Sequence, residues 1–311
     1  MINNNIKNED QEYRCGFVAL LGRPNVGKSS IINTLLKEKV AAVSSKPQTT
    51  RNAIRCILTT GKEQIIFVDT PGIHKPKHVL GDFMVKEASK TLSQVDLICF
   101  VVEAGDRMIG EKEELILEFL SNCSVPIVLA VNKIDKFSDQ EVFWKTVEMY
   151  ETRITPAAVI PLSAKKGTNM DVFIETLSGM LPMQPPIYPA DMLMDATERF
   201  LAAEVIREKI LNFTDQEVPH GTAVVVEEFK SPEEYPELKT CEIRATIIVD
   251  REGQKAIIIG RSGAKLKTIG MAARKELEEK FGYPIYLQLW VKVKPGWRKS
   301  QEELRRLGYS F

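Results

Sequence analysis

The chain has 311 residues, enough for about two domains with separate cores, and its 42 basic and 42 acidic side chains leave a formal net charge of zero. With 44% hydrophobic and 27% charged residues it is too apolar for a disordered chain, and no apolar run approaches the roughly 18 residues of a membrane-spanning helix. The opening MINNNIKNEDQEYR lacks the apolar stretch of a secretory leader, so a cytoplasmic protein with a flexible tail over residues 1–12 is expected.

From residue 13 to 181, short β-branched runs alternate with amphipathic stretches, the rhythm of a mostly parallel sheet with helices on its faces. Strands are expected at 16–21, 54–59, 64–68, 97–102, 127–131 and 157–160, and helices at 28–36, 110–121, 140–150 and 170–180. LPMQPPIYP then places four prolines in nine residues, which removes backbone donors and fixes φ; a linker is assigned to residues 182–196. Residues 197–311 form the second domain, with a helix at 197–212, strands at 222–229, 241–249 and 285–293, and a helix at 264–281. Propensity alone makes 254–259, with its three isoleucines, another strand. The zero net charge hides an asymmetry: residues 181–250 hold 6 Lys/Arg against 14 Asp/Glu, and residues 251–311 hold 14 against 6. Cys15, Cys56, Cys99, Cys123 and Cys241 are odd in number and scattered, which reads as reduced, mostly buried thiols rather than a metal or redox motif.

Gly22-Arg23-Pro24-Asn25-Val26-Gly27-Lys28-Ser29 fits G-x-x-x-x-G-K-[ST] and falls between an expected strand and an expected helix, where a P-loop must sit. Its glycines let successive N–H groups, from Asn25 through Ser30, surround a phosphate. Lys28 reaches the β- and γ-phosphates, and the Ser29 hydroxyl serves Mg²⁺. Three further segments follow in the order of a Ras-like or translation-factor-like GTPase. Asp69-Thr70-Pro71-Gly72 places Asp69 for Mg²⁺ through a water and the Gly72 amide for the γ-phosphate. Asn132-Lys133-Ile134-Asp135 offers the Asp135 carboxylate to guanine N1 and its exocyclic amine, a pattern adenine cannot match. Ser163-Ala164-Lys165 offers the Ala164 amide to guanine O6. In SSKPQTTRN, Thr49 or Thr50 completes the Mg²⁺ shell when γ-phosphate is present, with Thr50, beside Arg51, favoured. A second switch is expected from residue 72 to about 89. Catalysis rests on Lys28, Thr50 and Gly72. Ile73 stands where Ras-like enzymes carry a water-orienting glutamine, so the attacking water needs a backbone group, a metal or a partner.

In the basic segment, Gly260-Arg261-Ser262-Gly263 matches the GxxG turn of a KH domain, which approaches the backbone of about four nucleotides; Arg261, Lys265 and Lys267 would meet phosphates. The tail KVKPGWRK places Trp297 among cations, either for RNA or as a core lid.

Together, GRPNVGKSS, KPQTTR, DTPG, NKID, SAKKG, GQKAIIIGRSGAKLKTIG and LQLWVKVKPGW resemble the bacterial Era family among the TrmE-Era-EngA-like GTPases, over nearly all of the chain after its tail. The resemblance implies an α/β fold, a doubly wound P-loop G domain followed by an α+β type II KH domain, in which residues 257–259 are helical. It implies GTP as substrate, Mg²⁺ as cofactor, and binding near the 3′ end of 16S ribosomal RNA during maturation of the 30S subunit. It further implies K⁺ beside the phosphates at Asn25, which could alternatively only cap its own loop, and peripheral contact with the inner membrane; no DNA partner is expected. Tandem assembly GTPases would need a second P-loop, tRNA-modifying relatives a C-terminal cysteine motif, and ferrous-iron transporters membrane helices. The rival from another class is a signalling GTPase whose second domain binds protein or membrane lipid.

Overall fold

The structure, a computed structural model, describes residues 13–38, 54–69, 79–214, 218 and 221–307. Its first body is a seven-stranded sheet built from β1 (Arg14–Leu21), β2 (Ile54–Thr59), β3 (Glu63–Asp69), β4 (Leu97–Glu103), β5 (Ile127–Asn132), β6 (Ala158–Pro161) and β7 (Met194–Asp195), in the order β6-β5-β4-β1-β3-β2-β7. The strands from β6 to β3 run parallel and read as continuous apolar runs because both faces are covered. On one face α1 (Lys28–Leu36) and α5 (Met170–Met180) bury Ile31, Ile32, Leu35, Phe173 and Leu177. On the other, α3 (Glu111–Ser121) and α4 (Gln140–Glu151) bury Ile116, Leu117, Leu120, Val147 and Tyr150. This is the expected doubly wound arrangement. The chain departs from β1 to β3 on one side and to β4 on the other, opening a crevice at the carboxyl end of β1.

Two stretches take forms the sequence leaves open. Residues 182–196, the expected linker, are strapped to the sheet of the first body. Cys15 N–H donates to Pro182 O at 3.1 Å, Gln64 Oε1 accepts from the Ile187 and Tyr188 amides at 2.8 and 2.9 Å, and β7 pairs antiparallel with β2. Proline removes its own donor, but the intervening residues keep theirs, and side-chain acceptors satisfy them. The described part of the second switch, expected to reach about residue 89, is helix α2 (Val79–Leu92).

The second body has a three-stranded sheet, β10 (Ile285–Val293), β9 (Cys241–Val249) and β8 (Thr222–Lys230), with β9 antiparallel to β8 and parallel to β10. Helices α6 (Glu198–Phe213), α7 (Glu252–Ile259) and α8 (Ala264–Phe281) cover one face around Ile206, Ile210, Ile247, Ile258 and Ile269. The helix α7 corrects the strand reading of 254–259. Gln254 Oε1 accepts from the Asp250 and Arg251 amides at 2.9 and 3.1 Å and closes the helix start, while Ile258 is buried and Ile257 is 43% exposed, a helical alternation of faces. Tertiary packing overrides the β-propensity of the isoleucines.

On the opposite face of this sheet, Ala223 and Ile248 join Trp297 and Leu304, from the 3-10 turn at Trp297–Lys299 and helix α9 (Gln301–Arg306), in a buried cluster. Leu80 and Phe83 of α2 complete it, so the two bodies share a small core. The five cysteines are unpaired and four are buried, as expected. Burial raises the Cys56, Cys99 and Cys241 thiols, the last to about 11, which keeps them protonated and inert.

Candidate nucleotide and RNA sites

The loop between β1 and α1 curls through two left-handed residues, Asn25 at φ 70° and Gly27 at φ 111°. A Cβ on Gly27 would lie 2.2 Å from Asn132 Nδ2, so space as well as backbone demands glycine there. α1 starts at Gly27 without a side-chain cap, leaving its first N–H groups for a ligand. Val26 is buried, and Ser30 lies in the first turn of α1 beside Ser29. Lys28 Nζ donates to Gly22 O at 2.8 Å and Arg23 O at 3.3 Å; burial of the ammonium lowers its pKa, and Asp69 opposes that shift. A phosphate here would replace weak carbonyl partners with charged ones.

Ser29 Oγ donates to Asp69 Oδ2 at 3.3 Å, and the Asp69 side chain is buried at the end of β3. A hydroxyl and a carboxylate converging beside a phosphate loop are hard oxygen donors, the set that suits Mg²⁺ with phosphates and waters completing its shell. Among the described residues no group of three or more His, Cys, Asp or Glu forms an all-protein cage. Asn25 is exposed at the loop's rim. Thr49, Thr50, Gly72 and Ile73 lie outside the described residues.

The guanine segments are braced against the phosphate loop. Asn132 is buried and acts as a crosslink: its Nδ2 donates to Val26 O at 2.7 Å and its Oδ1 accepts from the Ala164 amide at 3.1 Å. The Ala164 N–H, the expected donor to guanine O6, meets Asn132 Oδ1 in this structure, and Lys165, also expected in the base pocket, is exposed beside it. Asp135 is exposed, with Oδ1 accepting from the buried Ser163 hydroxyl at 2.6 Å; this fixes the carboxylate and leaves its outer lone pairs for a base. Lys133, at φ 66°, reaches back to donate to Asn25 O at 2.6 Å. Asn132, Lys133, Asp135, Ser163 and the phosphate loop are thus brought into one crevice.

In the second body, Gly260 adopts φ 70° and ψ −177°, a region open only to glycine, and a Cβ there would lie 2.7 Å from Lys265 Cβ. The turn presents Arg261 and Ser262 to solvent, Gly263 begins α8 without a side-chain cap, and Lys267 is exposed one turn on. Lys265 is half-buried against the turn. In the same body Ile257 and Met271 are exposed, while Leu266, Leu289 and Val291 are half-buried and pack against its core. Trp297 is no part of the basic turn: the ring is 1% exposed, with Nε1 donating to Gly221 O at 3.2 Å, which settles the core-lid alternative. Arg298 pairs with Asp250 at 2.6 Å and Lys294 with Glu303, so half the tail's cations brace the fold.

The family model described as a 50S ribosome-binding GTPase matches residues 17–133, and that of the KH domain matches residues 217–298. The GTPase Era of Caldanaerobacter subterraneus subsp. tengcongensis is 48% identical over 299 residues, 96% of this chain and 99% of that protein. Two solved structures, each 40% identical and spanning 96% of this chain and all of their own, superpose closely. Aquifex aeolicus Era carrying a tyrosine-to-alanine substitution and bound to GDP·AlF4⁻ gives a TM-score of 0.89. Era in complex with MgGDPNP and nucleotides 1506–1542 of 16S ribosomal RNA gives 0.90.

Proposed function

The chain belongs to the Era family of GTPases, and on that premise we propose that it binds the 3′ end of 16S ribosomal RNA through its KH domain and couples the state of its nucleotide to maturation of the 30S subunit. The observation that carries the coupling is the buried cluster in which Leu80 and Phe83 of α2 pack on Ile248, Trp297 and Leu304. α2 follows the DTPG segment, so a γ-phosphate that draws on Gly72 pulls on a helix whose other side is part of the RNA-binding body. Both readings share the GTPase activity of the family, and the KH match with the basic turn favours RNA over protein or lipid for the second domain.

The chain's own groups do the following. P-loop amides and Lys28 hold the β- and γ-phosphates and offset charge as the bond between them breaks. Asp135, locked by Ser163, accepts from guanine, and the Ala164–Lys165 segment meets the base from the other side. Ser29 and Asp69 would hold Mg²⁺, which when bound neutralises charge on the phosphate oxygens. Asn25 would hold K⁺, a reading supported by family resemblance and by the exposed amide.

The unpaired cysteines support a reducing cytoplasmic setting. Peripheral contact with the inner membrane rests on resemblance alone; no described helix is long and apolar enough to cross a membrane. The test is retention on filters of an RNA carrying the 16S 3′ end, with the protein loaded with a GTP analogue or GDP, at two salt concentrations. Tighter binding in one nucleotide state, weakening steeply with salt, is expected. Equal affinity in both states would refute the coupling, and a flat salt response would refute the phosphate contacts.

A further inference from the structure

Glu103 ends β4 and lies in register with Asn132, the first residue of the guanine segment, so its carboxylate emerges beside Lys133 at the edge of the crevice. Oε2 accepts from Lys133 Nζ at 2.7 Å and Oε1 from Lys136 Nζ at 2.6 Å. Arg23 of the phosphate loop approaches Oε2 at 3.5 Å, and its guanidinium is drawn further by Asp106 at 2.6 Å and Glu113 of α3 at 2.8 Å. Lys133 also donates to Asn25 O. Two phosphate-loop residues thus meet this cluster, Asn25 through Lys133 and Arg23 through its approach to Glu103, with Asp106 and Glu113 as the closer partners of Arg23. Burial works to raise the Glu103 pKa, but the hydrogen bonds from Lys133 and Lys136 outweigh it and hold the carboxylate below its ordinary range, ionised at neutral pH.

We propose that Glu103 is a positioning residue for guanine-nucleotide binding: it clamps Lys133 between the guanine segment and the Asn25 carbonyl, and so sets the spacing of the base pocket and the phosphate loop. Three cations meet this one carboxylate. Without its charge the Lys133 ammonium keeps a single carbonyl partner while facing Arg23 and Lys136, and the lysine swings out to water, at a loss of preorganisation the bound nucleotide must then supply. Glu103 does not touch the nucleotide in this arrangement; it acts through Lys133 and the loop. The same clamp serves either nucleotide, because none of its contacts involves the γ-phosphate.

This inference rests on Lys133 serving the nucleotide, and the experiment separates the two. Affinities of a fluorescent GDP and a fluorescent GTP analogue are measured by titration for the full chain, Glu103→Gln, Glu103→Asp, Lys133→Met and the Glu103→Gln/Lys133→Met pair, with melting temperatures alongside. Glu103→Gln is nearly isosteric and is expected to weaken both nucleotides alike by about tenfold, with a KM rise that exceeds any change in kcat. Glu103→Asp, which restores the charge on a shorter stem, is expected to recover part of the loss. In the Lys133→Met background the Glu103→Gln effect should fall below about twofold. A folded Glu103→Gln protein with unchanged affinities overturns the proposal, as does a tenfold loss that persists without Lys133. Unchanged affinity of Lys133→Met itself would overturn the premise instead.

Discussion

The nucleotide crevice and the GxxG turn both rest on left-handed glycines at a helix start, yet they are built to different degrees. In the crevice each ligand-facing segment is tied to another by a buried bond: Asn132 joins Val26 to Ala164, and Ser163 fixes Asp135. The turn is held by backbone bonds, Gly260 N–H to Ala256 O at 2.9 Å and Gly263 N–H to Gly260 O at 3.3 Å, and Arg261 and Lys267 stand in solvent. A small, defined ligand repays a rigid pocket, because discrimination comes from buried groups that a wrong base leaves unpaired. A flexible polyanion is met by charge, which tolerates shifts of register. The first site should therefore fail on small steric changes and the second on changes of charge.

The largest effect is expected from Gly27→Ala. The new methyl meets Asn132 Nδ2 in a backbone conformation that alanine resists, so GTP and GDP affinity should fall at least about a hundredfold. Titration with fluorescent nucleotide reads this, and near-normal binding would show the crevice to be as pliable as the turn. Replacing the Arg261-Ser262 pair with two aspartates should weaken RNA binding by about a hundredfold and leave GTP affinity within about twofold. RNA retained by that variant would make the GxxG a mere turn. Asp135→Asn removes an acceptor and adds a donor, and should cost GTP about thirtyfold while xanthosine nucleotides gain. A competition assay that still prefers guanosine would remove Asp135 from the pocket.

Smaller changes probe the link between the sites. Phe83→Ala empties part of the shared cluster and should bring the ratio of RNA affinities in the GTP-analogue and GDP forms, expected at about tenfold in the full chain, close to one. A ratio that survives would send the coupling through another contact. Smallest is the cation effect: hydrolysis about fivefold faster in KCl than in NaCl at equal ionic strength, lost in Asn25→Ala, as phosphate release would show. Equal rates in the two salts would direct the search for the catalytic group to the ribosome.

Local chemistry was legible in the chain wherever one segment sufficed. The P-loop, β1, α1, α8 and the GxxG turn follow from glycine placement and hydrophobic period, because backbone geometry and the face a residue presents depend on near neighbours. The doubly wound order follows from the alternation of strands and helices, since parallel strands require crossovers. What depended on partners distant in sequence could not be read in this way. The isoleucines of α7 look like a strand until Gln254 caps the Asp250 and Arg251 amides, and the proline segment looks unattached until Gln64 accepts its N–H groups. Trp297 sits among cations in sequence and in the core in space, because Ala223, Ile248 and α2 close over it. Ala164 lies in one motif and Asn132, about thirty residues earlier, in another, and only the fold reveals the bond that braces the two segments together. Glu103 carries no motif at all: its role exists because parallel pairing brings the ends of β4 and β5 side by side, where one carboxylate meets three cations drawn from two segments.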